Sequence, residues 1–133
     1  MRIYNFIIAF FAASLSFVSC TKHPGDILDH VPVATLTISK PLEGSFFNAG
    51  DSVSIQGIAI STETIHGYDV IVKKANDTAT LFSVHIHDHN DTLHINEKWK
   101  ASINASTFLE AVITLVLDHD GHTLTRRAGF NVK

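Results

Sequence analysis

From Val31 onward the apolar residues of this chain fall at every second position in short runs, and no stretch repeats them convincingly at helical spacing. Alternate side chains of an extended backbone point to opposite faces, so the pattern describes half-buried strands that must close on one another as packed sheets. Ala34, Leu36 and Ile38 alternate with Thr35 and Thr37. Pro41–Gly50 follows as a loop whose glycines suit turn dihedrals. Val53, Ile55 and Ala59 mark a second strand, with its phase blurred at Gly57, where a bulge fits. Tyr68, Val70 and Val72 mark a third, Phe82, Val84 and Ile86 a fourth, and Leu93, Ile95 and Trp99 a fifth. Ala111 to Leu117 is almost continuously apolar, as expected of a central strand covered on much of both sides. Asp118-His119-Asp120-Gly121 supplies a turn, and Leu124, Ala128, Phe130 and Val132 define the last strand, with Arg126 an awkward member of that inward set. Seven short strands at this spacing predict an all-β domain of two antiparallel sheets.

The segment beginning at Val31 holds roughly 100 residues, near the commonest domain size and enough to bury a core without disulfides. Within it, Pro41-Leu42-Glu43-Gly44 through Asn48-Ala49-Gly50-Asp51-Ser52-Val53 resembles the first loop and second strand of bacterial immunoglobulin-like modules. Val112 to Asp118, then Gly121-His122-Thr123 and the alternating tail to Val132, is similar to their closing hairpin, which often has Asn where this chain has His122. The resemblance covers most of residues 33 to 132 and implies an immunoglobulin-like antiparallel β-sandwich of about seven strands, spanning residues 31–133. Such modules serve as adhesin parts, enzyme accessory domains and spacers. They share no active site, so the resemblance transfers no catalytic residue.

The N-terminus carries a different signal. Arg2 precedes an apolar run from Ile7 to Ala13 and a short neutral segment from Ser14 to Ser19, the order of a signal peptide. The run is too short to cross the roughly 30 Å of bilayer hydrocarbon as a helix. Phe17-Val18-Ser19-Cys20, with Leu15 just upstream, resembles the lipobox of bacterial lipoproteins, Phe17 standing where Leu is usual. Residues 1–19 are then expected to be removed and Cys20 to carry lipid, which also accounts for Cys20 being the only cysteine. An ordinary secretory peptide with a leftover thiol is the alternative. Residues 20–30, polar and broken by Pro24 and Gly25, read as a tether that could reach roughly 30 Å when stretched. This resemblance implies a Bacteroidota-type cell-envelope lipoprotein held to a membrane by its lipid. Thr21 in place of an Asp after the cysteine favours the outer membrane, on either side of it.

Without residues 1–19, nine lysines and arginines face thirteen acids, and no dense basic patch is present, which argues against nucleic acid as a partner. Lys73-Lys74 and Arg126-Arg127 suit solvated strand ends or edges. No serine lies in a recognisable nucleophile elbow, a lipidated Cys20 is no nucleophile, and Glu43, Glu63, Glu97 and Glu110 have no spacing that singles out a carboxylate pair. A non-enzymatic structural or protein-interaction role is therefore expected. A glycan partner is the competing expectation for an envelope sandwich, with Phe46, Phe47, Tyr68, Trp99 and Phe108 available for sugar rings. Trp99, however, falls inward, and Phe46-Phe47 are expected to close the end of the sandwich. Asp51-Ser52-Val53, Asp77-Thr78-Ala79 and Asp91-Thr92-Leu93 resemble Bacteroidota O-glycosylation acceptors, with Ser52, Thr78 and Thr92 as the acceptor hydroxyls. The sequons at Asn76, Asn90 and Asn104 match the eukaryotic pattern and carry little weight in a bacterial lipoprotein.

Of nine histidines, six lie in the second half of the chain. In His85-Ile86-His87-Asp88-His89 strand alternation sends Ile86 inward and His85, His87 and His89 to the other face. A two-residue turn at Asn90-Asp91 would pair His87 with His94, His85 with Asn96, Ile86 with Ile95 and Phe82 with Trp99. Imidazoles two apart on one strand, with a third across the ladder, can converge on zinc or copper. His85, His87 and His94 are thus the expected ligands, with His89 as a fourth and Asp88 as a substitute if the turn differs. The competing reading is an ordinary polar strand face. His119 and His122 are read as part of a turn, and His23 and His30 have no partner to name.

Overall fold

The structure, a computed structural model, describes residues 31–103 and 105–133; the segment expected to be a signal peptide, Cys20, the residues expected to form a tether and Asn104 lie outside these described residues. Eight strands run in order: β1 (Ala34–Lys40), β2 (Ser45–Phe47), β3 (Ser52–Ile65), β4 (Gly67–Lys74), β5 (Thr80–Ile86), β6 (Asn90–Lys100), β7 (Thr107–Val116) and β8 (Thr123–Val132). One sheet has the order β1-β3-β6 and the other β2-β8-β7-β4-β5. All pairings are antiparallel except β2 with β8, where Ser45 faces Phe130 and Phe47 faces Val132. The chain is an immunoglobulin-like β-sandwich. β2 is the strand beyond the seven expected; it occupies the middle of the Pro41–Gly50 segment, where three residues offer too little alternation to be seen in sequence.

The alternating residues do what their period requires. Leu36 from β1, Val53, Ile55 and Ala59 from β3, and Leu93, Ile95 and Trp99 from β6 are buried from one side. Val70 and Val72, Leu109, Ala111, Ile113 and Leu115, and Phe130 and Val132 meet them from the other. Phe130, fully buried, is packed edge-on by Phe47 at 5.7 Å and lies 6.4 Å from Trp99. Among the described residues no polar or charged side chain is buried as a whole. The irregularity expected at Gly57 sits instead on its partner, between Ile38 and Lys40 of β1. Gly57 allows close approach there, because a Cβ would come within 2.7 Å of the Thr37 carbonyl oxygen. Arg126 turns to solvent although its register partner Ile113 is buried.

The hairpin expected around Asn90-Asp91 does not form. β5 pairs with β4, so Ile86 lies opposite Tyr68 and Phe82 opposite Val72. β6 pairs with β3 in the other sheet, which sets Ile95 opposite Gly57, Trp99 opposite Val53 and His94 opposite Ile58. Residues 87–89 therefore cross from one sheet to the other over the end of the sandwich. Ile86 and Ile95 do share an inward orientation, but they approach the core from opposite sheets.

Candidate functional site

Three chain segments meet at the end of the sandwich where residues 87–89 cross. His66 is the single residue between β3 and β4, and its backbone N–H donates to the Val116 carbonyl at 2.8 Å. β4 starts here, while its neighbours β5 and β7 both run antiparallel to it and end here. Gly67 makes the meeting close. Its φ is +136°, and a Cβ at that point would strike the Ile86 carbonyl oxygen and lie 3.2 Å from the Cα of His87. A side chain would thus push the end of β5 away from the corner that carries His66.

The result is a chain of imidazoles. The His66 ring lies 4.2 Å from that of His119 and 4.8 Å from that of His89, and His89 lies 4.6 Å from His87. Nε2 of His87 and Nε2 of His89 face each other at 2.8 Å. His85 stands further out, with its ring 6.5 Å from that of His87 and its Nδ1 2.8 Å from Asp69 Oδ1. Of the four residues expected to hold a metal, His87 and His89 are in the group and His85 flanks it. His94 is excluded by topology, since it faces outward from the three-stranded sheet beside Ile58. Asp88 is tied to Asn90, whose Nδ2 donates to Asp88 Oδ1 at 2.7 Å.

His66 and His119 are the members that sequence reasoning missed. His119 owes its place to Asp118, whose Oδ1 accepts the backbone N–H groups of Asp120 and His122 while Oδ2 meets His122 Nδ1 at 2.6 Å. Burial opposes ionisation of Asp118, but the His122 side chain and the two backbone donors outweigh it and hold the carboxyl below its ordinary range. His66 is half-buried, and its Nδ1 has neither solvent contact nor a hydrogen-bond partner. Desolvation, followed by the nearby rings of His119 and His89, holds its pKa below the usual histidine value, against an opposing pull from Asp118. His87, His89 and His119 are exposed, so the group is open to solvent with His66 as its floor.

Two other surface features bear on function. Phe46 of β2 and Phe108 of β7 are both register partners of Asn131 in β8, so the three side chains stand in a row on the outer face of the five-stranded sheet. Phe46 is 68% and Phe108 46% exposed, and Lys133 Nζ lies 5.9 Å from the Phe46 ring centre. Of the Phe46-Phe47 pair, then, only Phe47 packs against the core. Trp99 is buried as expected, and so is Tyr68, whose hydroxyl donates to Glu97 Oε1 at 3.0 Å. Near the other end of β3, a groove of about 330 Å³ is lined by Lys40, Pro41, Leu42, Ser45, Phe47, Ser52 and Ser54. The three acceptor-like hydroxyls, on Ser52, Thr78 and Thr92, belong to exposed residues.

No protein-family model matches the sequence, and no curated protein matches it either. Among solved structures, the chain is similar to the fibronectin(III)-like modules of Clostridium thermocellum CbhA, with 21% identity and a TM-score of 0.49 over 74% of this chain and 96% of that one.

Proposed function

We propose that the chain is a non-enzymatic lipoprotein of the bacterial cell envelope, held to a membrane, by preference the outer one, through lipid on Cys20, and that its sandwich works as a structural or protein-interaction module. The observation that carries this reading is the filled core. Apart from Tyr68, whose hydroxyl is tied to Glu97, the core residues of both sheets are apolar, and among the described residues no other polar or charged side chain is buried as a whole. A sandwich of this kind offers its sheet faces and its loop ends to a partner. The residues 20–30 would let it do so at a distance from the lipid.

Anchoring is tested by labelling with palmitate in the native cell. The wild type should incorporate it and Cys20→Ser should not; equal labelling would refute the lipoprotein assignment. The interaction role is tested by placing a photo-crosslinking residue at outward positions of the anchored chain, such as Ile58 and Phe46. A discrete adduct that recurs from adjacent positions on one face is expected. A uniform smear from every face would leave only a spacer.

The row of Phe46, Asn131 and Phe108 favours a second reading, a glycan-binding face, because exposed rings beside an amide suit the apolar and hydroxyl faces of a sugar. Glycan binding that is lost in Phe46→Ala and Phe108→Ala would select it over a protein partner. O-glycosylation at Ser52, Thr78 and Thr92 is compatible with either reading and would appear as added mass on the native protein, removed by substitution to Ala.

A further inference from the structure

We propose that the histidine end of the sandwich is a pH-sensitive latch, in which the neutral rings of His66, His87, His89 and His119 hold the 87–89 crossing and the 118–122 turn to the corner at His66 and release them when they are protonated. Among the described residues no three His, Cys, Asp or Glu side chains stand as a set that could hold a metal ion, and the four rings meet only in successive pairs. A proton is what such a line of rings takes up. The latch needs nothing from the anchoring or partner reading above.

Each contact in the line depends on charge. The Nε2 atoms of His87 and His89 are 2.8 Å apart, so one ring donates its proton to the lone pair of the other. The pair can accept one further proton, on Nδ1 of the donor ring, but a second would set two N–H groups head-on across the gap. His66 lies 4.8 Å from His89 and 4.2 Å from His119, ring centre to ring centre. At such separations two positive charges repel, and the more so where water is partly excluded. His66 Nδ1 is out of solvent contact and has no hydrogen-bond partner. A neutral ring can leave a lone pair there, whereas a charged ring must carry N–H at both nitrogens and would bury one donor without an acceptor. Rings that repel swing outward, open the His66 floor to water and leave the crossing and the turn without their side-chain contacts.

Three carboxylates that border the group are engaged elsewhere. Asp118 is held by His122 and two backbone N–H groups, Asp88 by Asn90, and Asp69 of β4 by His85 of β5. The other acids of the surrounding elements are Glu63 near the end of β3, Asp91 at the start of β6 and Asp120 in the turn. Desolvation, then His119 and His89, lower the His66 pKa against the pull of Asp118, in keeping with this geometry. The sign follows. Above the ordinary histidine value of about 6.5 the closed and open forms both hold neutral rings, and the latch is at full strength. Below it the open form takes up a proton that the closed form resists, so closure weakens as the pH falls through the lowered value. The loosening falls where the chain enters the sandwich, since Thr62, on the approach to His66, donates its backbone N–H to the Val33 carbonyl at 3.0 Å.

The test is hydrogen exchange of the full chain in detergent, followed residue by residue by NMR at about pH 7.5 and about pH 5.5, the latter still above the ordinary carboxylate range. After correction for intrinsic rates, protection of the His66 amide, which donates to Val116, and of the Leu117 amide, which donates to His122, should fall by about tenfold or more on acidification. Gly50 and Ala101, whose amides donate to Ala101 and Asp51 at the opposite end of the sandwich, should change by less than about threefold. In the double variant His66→Gln/His89→Gln the pH-dependent loss should vanish, whereas His85→Gln, which removes a ring already paired with Asp69, should keep it. The double variant is checked for cooperative melting. If it does not fold, the ring titration of the wild type decides, because imidazole NMR should show His66 gaining its proton below about 6.5 and in step with the loss of protection. Equal loss at both ends, a loss that persists in the folded double variant, or a His66 ring charged at or above about 6.5 while its amide stays protected would overturn the proposal.

Discussion

Gly67→Ala separates the two contributions that hold the histidine end together. At φ +136° a residue with a Cβ lies outside the left-handed well, a strain on the order of 1–3 kcal/mol. The new methyl would also overlap the Ile86 carbonyl oxygen and press on the Cα of His87. That overlap is with backbone, which cannot rotate away, so the end of β5 must move off β4 and the pairing of Tyr68 with Ile86 must loosen. Together the two effects should amount to at least about 3 kcal/mol, a fall in melting temperature of roughly 12 °C or more for a domain of this size. Gly121→Ala provides the internal control. Its φ is +96°, but a Cβ there meets nothing within 4 Å, so it carries strain alone, about 1–2 kcal/mol. Both variants and the wild type are compared by urea denaturation and by thermal melting followed by circular dichroism. Equal losses in the two variants would mean that β5 does not approach the corner as described. In that case the juxtaposition of His66 with His87 and His89 would fall with it.

Spectrophotometric titration, with Tyr68→Phe as the reference, should isolate the ionisation of Tyr68. Burial and the hydrogen bond to Glu97 push Tyr68 up to about 12, so it should ionise well after an ordinary phenol near pH 10. With the neutral phenol favoured in the fold, its contribution to stability is whole below about pH 10 and disappears as the pH rises toward 12; ionisation of Tyr68 near pH 10 would refute this. Phe130→Ala, which empties a fully buried site between Phe47 and Trp99, should lower unfolding free energy by about 3–5 kcal/mol, whereas Phe46→Ala on the outer face should change it by less than about 0.5 kcal/mol. Comparable losses in denaturant midpoint would reverse that assignment of faces. Far-ultraviolet circular dichroism of the described domain should be β-dominated; a helix content near the one-third usual in globular proteins would contradict the fold.

The faces of the strands were legible because side-chain alternation is a local property of extended backbone. Leu36, Val53, Ile55, Val70, Leu93, Trp99 and Phe130 are all buried where their phase places them. β2 was not legible for the opposite reason. Ser45-Phe46-Phe47 has no run of its own to declare a strand, and becomes one only because β8 lies alongside to accept it. Gly57 shows an intermediate case, in which a glycine in a strand correctly signalled an irregularity but not which of the paired strands would carry it.

Partnership between strands is where alternation fails, and the histidine site shows why. Matching Ile86 to Ile95 and Phe82 to Trp99 satisfies both faces of a hairpin at once. The same alternation is satisfied equally well when the two strands belong to different sheets and point their apolar residues at each other across the core, as β5 and β6 do. Facing pairs and neighbouring pairs leave the same trace in sequence. What separates them is the connection. β6 begins at Asn90 and pairs that residue with Ile65 of β3, so Asn90 is committed to the opposite sheet and cannot also turn a hairpin. His87 and His89, which lie in the crossing itself, kept their importance, while His94 was carried beyond it to a different surface. His66 and His119 joined the group from positions with no shared motif, because a site at the end of a sandwich is assembled from strand termini rather than from strand periodicity.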